Sequence, residues 1–148
     1  MIKLLWIDDN LDHDLTEKRM TLVMEDDIDS HFARDATEGY YRLRKDKFDV
    51  VIVDLQLPPG PDDMWNNHRD KGFQKFGVAL LELVRKPDNE DFGHLSRTQF
   101  GVFTIEPKEE NPELFEPPIS LSENNFQVKT HAASENAFLD FIRKVYNS

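Results

Sequence analysis

Residues 50–53 read Val-Val-Ile-Val, preceded by Phe48-Asp49 and followed by Asp54. Four adjacent β-branched side chains crowd a helix and suit a strand. Neighbouring residues of a strand face opposite sides, so all four are buried only if both faces of the sheet are covered. That excludes a sheet with one wet face and points to a parallel sheet between two layers of helices. The segment Phe48 to Asp54 is then a central strand that ends on a carboxylate.

The N-terminus repeats the pattern. Residues 2–7 are almost wholly apolar and stop at Asp8-Asp9-Asn10, which reads as a second strand buried on both faces. Residues 11–25 carry Leu11, Leu15, Met20, Leu22 and Val23 at loosely helical spacing, with acids crowding the first turn. A strand is expected over 28–33 and a helix over 36–46. A helix over 77–86 is stopped by Pro87, and a polar linker covers 87–98. A strand runs from Phe100 to Ile105 and a short one over 126–129. A last helix covers 134–146, with Ser134 as N-cap and Ala137, Phe138, Phe141, Ile142 and Val145 as its buried stripe. Residues 55–76 read as loop. Residues 106–125, with six Glu and four Pro, read as irregular and exposed.

Strands alternating with helices argue a three-layer, doubly wound α/β fold with a five-stranded parallel sheet, and its site lies at the carboxyl ends of the strands. The expected order is 2-1-3-4-5, with a degenerate fourth crossover helix. The 148 residues suit one domain over 1–148, and the absence of cysteine excludes a disulfide scaffold or a Cys-ligated metal. A net charge of −11 argues against a nucleic-acid partner. No apolar run approaches a membrane span, the N-terminus does not read as a signal peptide, and a cytoplasmic location is expected. His13, His31, His68, His94 and His131 share no metal-ligand spacing.

On that scaffold Asp8 and Asp9 leave the first strand and Asp54 the third. Thr104 lies near the end of the fourth and Lys129 ends the fifth. The expected strand order brings them to one edge. Three close carboxylates repel, and an oxygen-rich site selects a hard cation, Mg²⁺ or Mn²⁺. A carboxylate beside such a cation can act as a nucleophile toward phosphorus, with a lysine and a hydroxyl left to hold phosphoryl oxygens. Each residue also has a plainer reading. Asp8-Asp9 suit a solvated helix start, Asp54 a turn, Thr104 an ordinary strand position and Lys129 the surface. Phe126 suits the core.

The sequence resembles the receiver (response-regulator) domains of two-component signalling, in the layout of the single-domain chemotaxis regulators. The matching pieces are Leu5-Trp6-Ile7-Asp8-Asp9, Val51-Ile52-Val53-Asp54-Leu55-Gln56-Leu57-Pro58, Gly77-Val78-Ala79-Leu80-Leu81, Phe103-Thr104 and Phe126-Gln127-Val128-Lys129. They run in family order over nearly the whole chain. The resemblance implies the flavodoxin-like fold and a phosphorelay role. Asp54 would accept phosphate from a histidine kinase or phosphotransfer protein and signal to an output protein. Asp9, Asp54 and the Gln56 backbone carbonyl would bind Mg²⁺, with Asp8 helping directly or through water. Thr104 and Lys129 would read the phosphoryl group, and Phe126 would be the switch aromatic. Such a chain is a phosphoacceptor, at most catalysing its own phosphorylation and dephosphorylation.

Three departures bear on that expectation. An insertion over about 59–76, with Met64, Trp65, Phe73 and Phe76, separates Pro58 from Gly77. Its aromatics suit a satellite core or a contact site equally. Bulky Ile105 replaces the family's small residue and is expected to narrow access to Asp54. Thr130 replaces the proline after the lysine. These motivate an alternative, an atypical interaction module that no longer cycles phosphate. A haloacid-dehalogenase-type hydrolase would want its two aspartates one residue apart, whereas Asp8 and Asp9 are adjacent. A flavin binder would want a Ser/Thr/Gly-rich phosphate cradle after Ile7.

Overall fold

The computed structural model describes all residues except 12–14, 73 and 132–134. The cap expected at Ser134, His13 and the insertion's Phe73 lie outside the described residues. Among the described residues five strands and five α-helices follow in the order β1 (Ile2–Ile7), α1 (Thr16–Val23), β2 (Ile28–Ala33), α2 (Ala36–Lys45), β3 (Val50–Val53), α3 (Asn66–Asp70), α4 (Phe76–Arg85), β4 (Gln99–Thr104), β5 (Phe126–Val128) and α5 (Glu135–Tyr146). The sheet order is β2-β1-β3-β4-β5 and every pairing is parallel. This is the flavodoxin-like three-layer fold.

The β-branched run behaves as its chemistry requires. Val51 and Val53 enter one core cluster with Leu5, Ile7 and Val102, covered by α2 and α4. Val50 and Ile52 enter the other with Leu4, Trp6 and Phe103, covered by Leu22 of α1 and by Phe138, Phe141, Ile142 and Val145 of α5. Trp6 is fully buried, its ring 4.4 Å from that of Phe138. In α5 Leu139 is buried as well, and Ala137 only partly.

Helix α2 starts at Asp35, whose carboxylate accepts the Glu38 amide at 2.7 Å, and Arg42, Arg44 and Lys45 crowd its last turn. Both ends therefore complement the helix dipole. Helix α1 is shorter than the expected 11–25 and has no side-chain cap.

The expected loop over 55–76 contains a 3-10 turn, Asp63–Trp65, and the short helix α3. Trp65 belongs to the main core, 2% exposed, so the satellite reading gives way to a docked insertion. The polarity at its mouth explains the docking. The Ala36 and Thr37 amides donate to the carbonyls of Pro58 and Pro59, and the Thr37 hydroxyl donates to Pro59 O at 2.7 Å. That same hydroxyl accepts the Trp65 indole N–H at 3.0 Å. Gly60 takes a φ of +80°, and a Cβ there would sit 2.6 Å from Asp35 Oδ1. Only glycine meets both conditions.

Two other expectations are corrected. The 87–98 linker buries Phe92 and Leu95 on a 3-10 turn, because Phe92 packs edge-on against Tyr40. The 106–125 segment is irregular, made of three 3-10 turns, but it is not simply exposed. Glu106, Asn111, Leu114, Ile119, Leu121 and Asn125 are buried in it. No α-helix lies between β4 and β5 among the described residues, where four prolines interrupt the chain. Among the described residues no helix is long and apolar enough to cross a membrane.

Candidate functional site

The register explains which side chains meet. Ile7 pairs with Val53, and Val53 with Val102. The chain leaves β1 and β3 at the same level, placing Asp8 and Asp54 side by side. The ladder continues one step further, since the Asp8 amide donates to Ala33 O at 2.9 Å and the Asp54 amide to Ile7 O at 3.0 Å. On the other flank Thr104 pairs with Val128, so Lys129 follows immediately beyond it.

Lys129 Nζ lies 2.8 Å from Asp8 Oδ2 and 3.1 Å from Asp54 Oδ2. Asp8 is fully buried, Asp54 is 4% exposed and Asp9 is exposed. One carboxylate oxygen from each of the three lies within 4.8 Å of the others. The Asn10 amide donates to Asp8 Oδ1 at 3.0 Å, and the Gln56 amide approaches Asp54 Oδ1 at 3.4 Å. The ammonium also stands 5.9 Å from the centre of the Phe103 ring.

The electrostatics follow from burial. Desolvation and then the Asp54 charge push the Asp8 carboxyl up to about 6, against the pull of Lys129. Burial by itself would lower Lys129. The charges of Asp8 and Asp54 outweigh it and hold the ammonium above its ordinary range. The pocket therefore keeps one firm cation among acids and has room in its charge balance for another.

Thr104 is completely buried, and among the described residues its hydroxyl has no hydrogen-bond partner. Such orphans are rare in native interiors. Phe126 is half-buried, its ring 6.2 Å from that of Phe115. It packs on the core, as its plainer reading held. Ile105, directly after buried Thr104, turns outward and is 58% exposed. Thr130 follows Lys129 in a 3-10 turn, Lys129–His131, and the lysine still reaches both acids.

Two contributors escaped the sequence reading. A Cβ on Gly77 would lie 2.1 Å from the Asp54 carbonyl oxygen, so the first turn of α4 presses directly on the backbone that presents Asp54. Lys75, one residue before α4, pairs with buried Glu106 at 2.8 Å and donates to the wholly buried Asn111 at 2.9 Å. That contact ties the end of the insertion to the segment after Thr104. The only hint in sequence was a lysine beside a helix start.

No family model matches the chain, and no curated relative does. Solved structures do. The receiver domain of the Francisella response regulator 1452 is 18% identical, aligning over 99% of this chain and 98% of that one with a TM-score of 0.67. The non-phosphorylated HemR receiver domain from Leptospira biflexa is 21% identical over 100% and 96%, with a TM-score of 0.66. The chain has the receiver-domain fold. A third receiver-type neighbour is a response regulator protein from Burkholderia pseudomallei, solved with a phosphorylated aspartic acid, a calcium ion and citrate. It is 17% identical over 99% of this chain and 69% of that one, with a TM-score of 0.61.

Proposed function

We propose that this receiver fold works as a phosphorelay receiver, in which Asp54 accepts a phosphoryl group in a Mg²⁺-dependent reaction and the modified chain switches partner binding. The observation that carries the reading is the buried Asp54 carboxylate, 3.1 Å from the Lys129 ammonium and beside the oxygens of Asp8 and Asp9. Hard oxygen donors at this spacing fit Mg²⁺, or Mn²⁺, and exclude soft metals. Asp8, Asp9, Asp54 and the Gln56 backbone carbonyl would hold the ion, which when bound offsets the negative charge of the acids and of an incoming phosphoryl group.

The chain's own groups supply the rest. An Asp54 oxygen forms the new O–P bond while the P–N bond of a donor phosphohistidine breaks, its electron pair leaving on the imidazole. Lys129, kept protonated by the acids around it, donates N–H to a phosphoryl oxygen. The Thr104 hydroxyl, without a partner beforehand, is available to donate to another. The phosphoryl group carries about −1.5 to −2 charge where the carboxylate carried −1, and a Thr104 drawn toward it biases the loop that follows. Phe126, only half-buried, is the aromatic placed to respond. The partners on this reading are a histidine kinase or phosphotransfer protein and an output protein. On the same reading the chain catalyses at most its own phosphorylation and dephosphorylation. The phosphorylated aspartate and the calcium ion of the Burkholderia protein support the assignment by analogy of fold.

Incubation with Mg²⁺ and acetyl phosphate should add one phosphoryl mass to the intact protein, and Asp54→Asn should abolish it. A folded chain that binds Mg²⁺ yet takes up no phosphate would favour the module that no longer cycles phosphate.

A further inference from the structure

At the opposite edge of the sheet from Asp54, where β4 begins, two clefts of about 180 and 390 Å³ share Arg85 and Phe100 in their walls. Arg85 closes α4. Its guanidinium lies over the Phe100 ring, 5.1 Å from the centroid, and its Nε donates to the Ile119 carbonyl at 3.1 Å. The plane is thus fixed before any ligand arrives, and among the described residues its remaining N–H groups meet no acceptor.

Among the described residues Arg85 has no carboxylate partner. Among the described residues no Asp or Glu side chain lines either cleft, and Ser148, the last residue, lines the wider one. Burial lowers the guanidinium's proton affinity, and no acid works against that shift. The wider cleft adds Ser120, Ser122 and Asn124 opposite Arg85. Ser120 takes a φ of +48°, a left-handed conformation that disfavours non-glycine residues and collects at functional positions. Hydroxyl and amide groups around an unpaired, pre-oriented guanidinium form a site for an anion, because a planar N–H fork matches carboxylate and phosphate oxygens.

We infer that the cleft between Arg85 and the Ser120–Asn124 segment is a binding site for a small organic anion bearing a carboxylate or phosphate group. The guanidinium fork takes the anionic group and the serines take its polar substituents. The site is independent of the acidic pocket at Asp54, which repels anions in the absence of a divalent cation.

The test is a titration of the intact protein, in Mg²⁺-free buffer at constant ionic strength, with inorganic phosphate, succinate or neutral succinamide. Backbone amide shifts are followed by NMR. Saturable shifts at residues 120–125 and 85–86, with phosphate or succinate and not succinamide, are expected. Which of the two binds more tightly distinguishes a phosphate from a carboxylate ligand. Arg85→Gln should weaken that binding tenfold or more. Absence of saturable shifts at those amides in the wild type up to tens of millimolar overturns the site, whatever the variant does. So does equal affinity in a folded Arg85→Gln.

Discussion

Lys129 Nζ stands 3.1 Å from Asp54 Oδ2 although 75 positions separate the two residues in the chain. Its second contact, 2.8 Å to fully buried Asp8, makes it the counter-charge for two desolvated acids. Removing it strands them. Lys129→Met should therefore cost about 3 kcal/mol at pH 7 without Mg²⁺, the usual scale for breaking a buried pair from one side. The cost should shrink near pH 5, where Asp8 takes up a proton, and Mg²⁺ should restore part of it. Urea unfolding followed by tryptophan fluorescence measures each. An equal cost at both pH values would show that Lys129 acts through packing alone.

Asp8 supplies a pH dependence of definite sign. Its carboxyl rises from 3.8 to about 6 on folding, by burial and by the Asp54 charge. Between about pH 4 and 6 the folded chain then binds more protons than the unfolded chain, so this group's contribution is complete below about pH 4 and is lost as pH climbs through 6. Two pH units correspond to about 3 kcal/mol. Asp8→Asn removes the slope. The variant should match the wild type near pH 4 and exceed it by up to about 3 kcal/mol at pH 7 in Mg²⁺-free urea titrations. Added Mg²⁺ should narrow the gap, since the ion binds the ionised acid that the variant lacks. A gap that is flat with pH would refute the raised carboxyl.

The sheet and its acidic edge were legible in the sequence because they rest on short-range rules. Val50 to Val53 demand burial on both faces, and a strand that ends on Asp54 delivers that acid to the edge by geometry alone. The hydroxyl of Thr104 and the amine of Lys129 were readable only through the expected strand order, which supplied their register. What stayed hidden depends on long-range partners. Nothing local says that Trp65 reaches Thr37 across 28 residues, or that Lys75 meets Glu106. Acids and prolines made the 106–125 segment look exposed. Its scattered Leu114, Ile119 and Leu121 lack any period, yet they cover the core where a helix would otherwise lie.

Gly77 is the most exacting small residue near the site. A methyl group there would meet the Asp54 carbonyl oxygen at 2.1 Å and the Leu55 Cα at 2.8 Å. Both are backbone atoms and cannot rotate away, so α4 or the Asp54 loop must shift. Gly77→Ala should cost about 3 kcal/mol, the upper range of overpacking. It should also slow phosphoryl uptake more than its stability loss explains, because Asp54 itself moves. Gly93→Ala, where a methyl group meets nothing within 4 Å, is the matched control and should change little. Thermal melts and the phosphodonor mass assay on both variants decide it. A Gly77→Ala protein with wild-type stability would mean that the close approach relaxes freely.

Thr104 separates stability from signalling. Its hydroxyl is buried without a partner among the described residues, so the unmodified protein bears the desolvation cost of that group. Thr104→Val keeps the shape and deletes the orphan. The variant should be more stable than the wild type by about 1 kcal/mol in chemical denaturation. Asp54 is untouched, so the phosphoryl adduct should still form. The amide shift changes that accompany the adduct at residues 105–110 in the wild type should be lost, because the group that answers the phosphate is gone. A Thr104→Val variant that is destabilised by more than 1 kcal/mol would show a hidden hydrogen bond at this hydroxyl. One that keeps the full pattern of phosphorylation-dependent shifts would remove Thr104 from the switch.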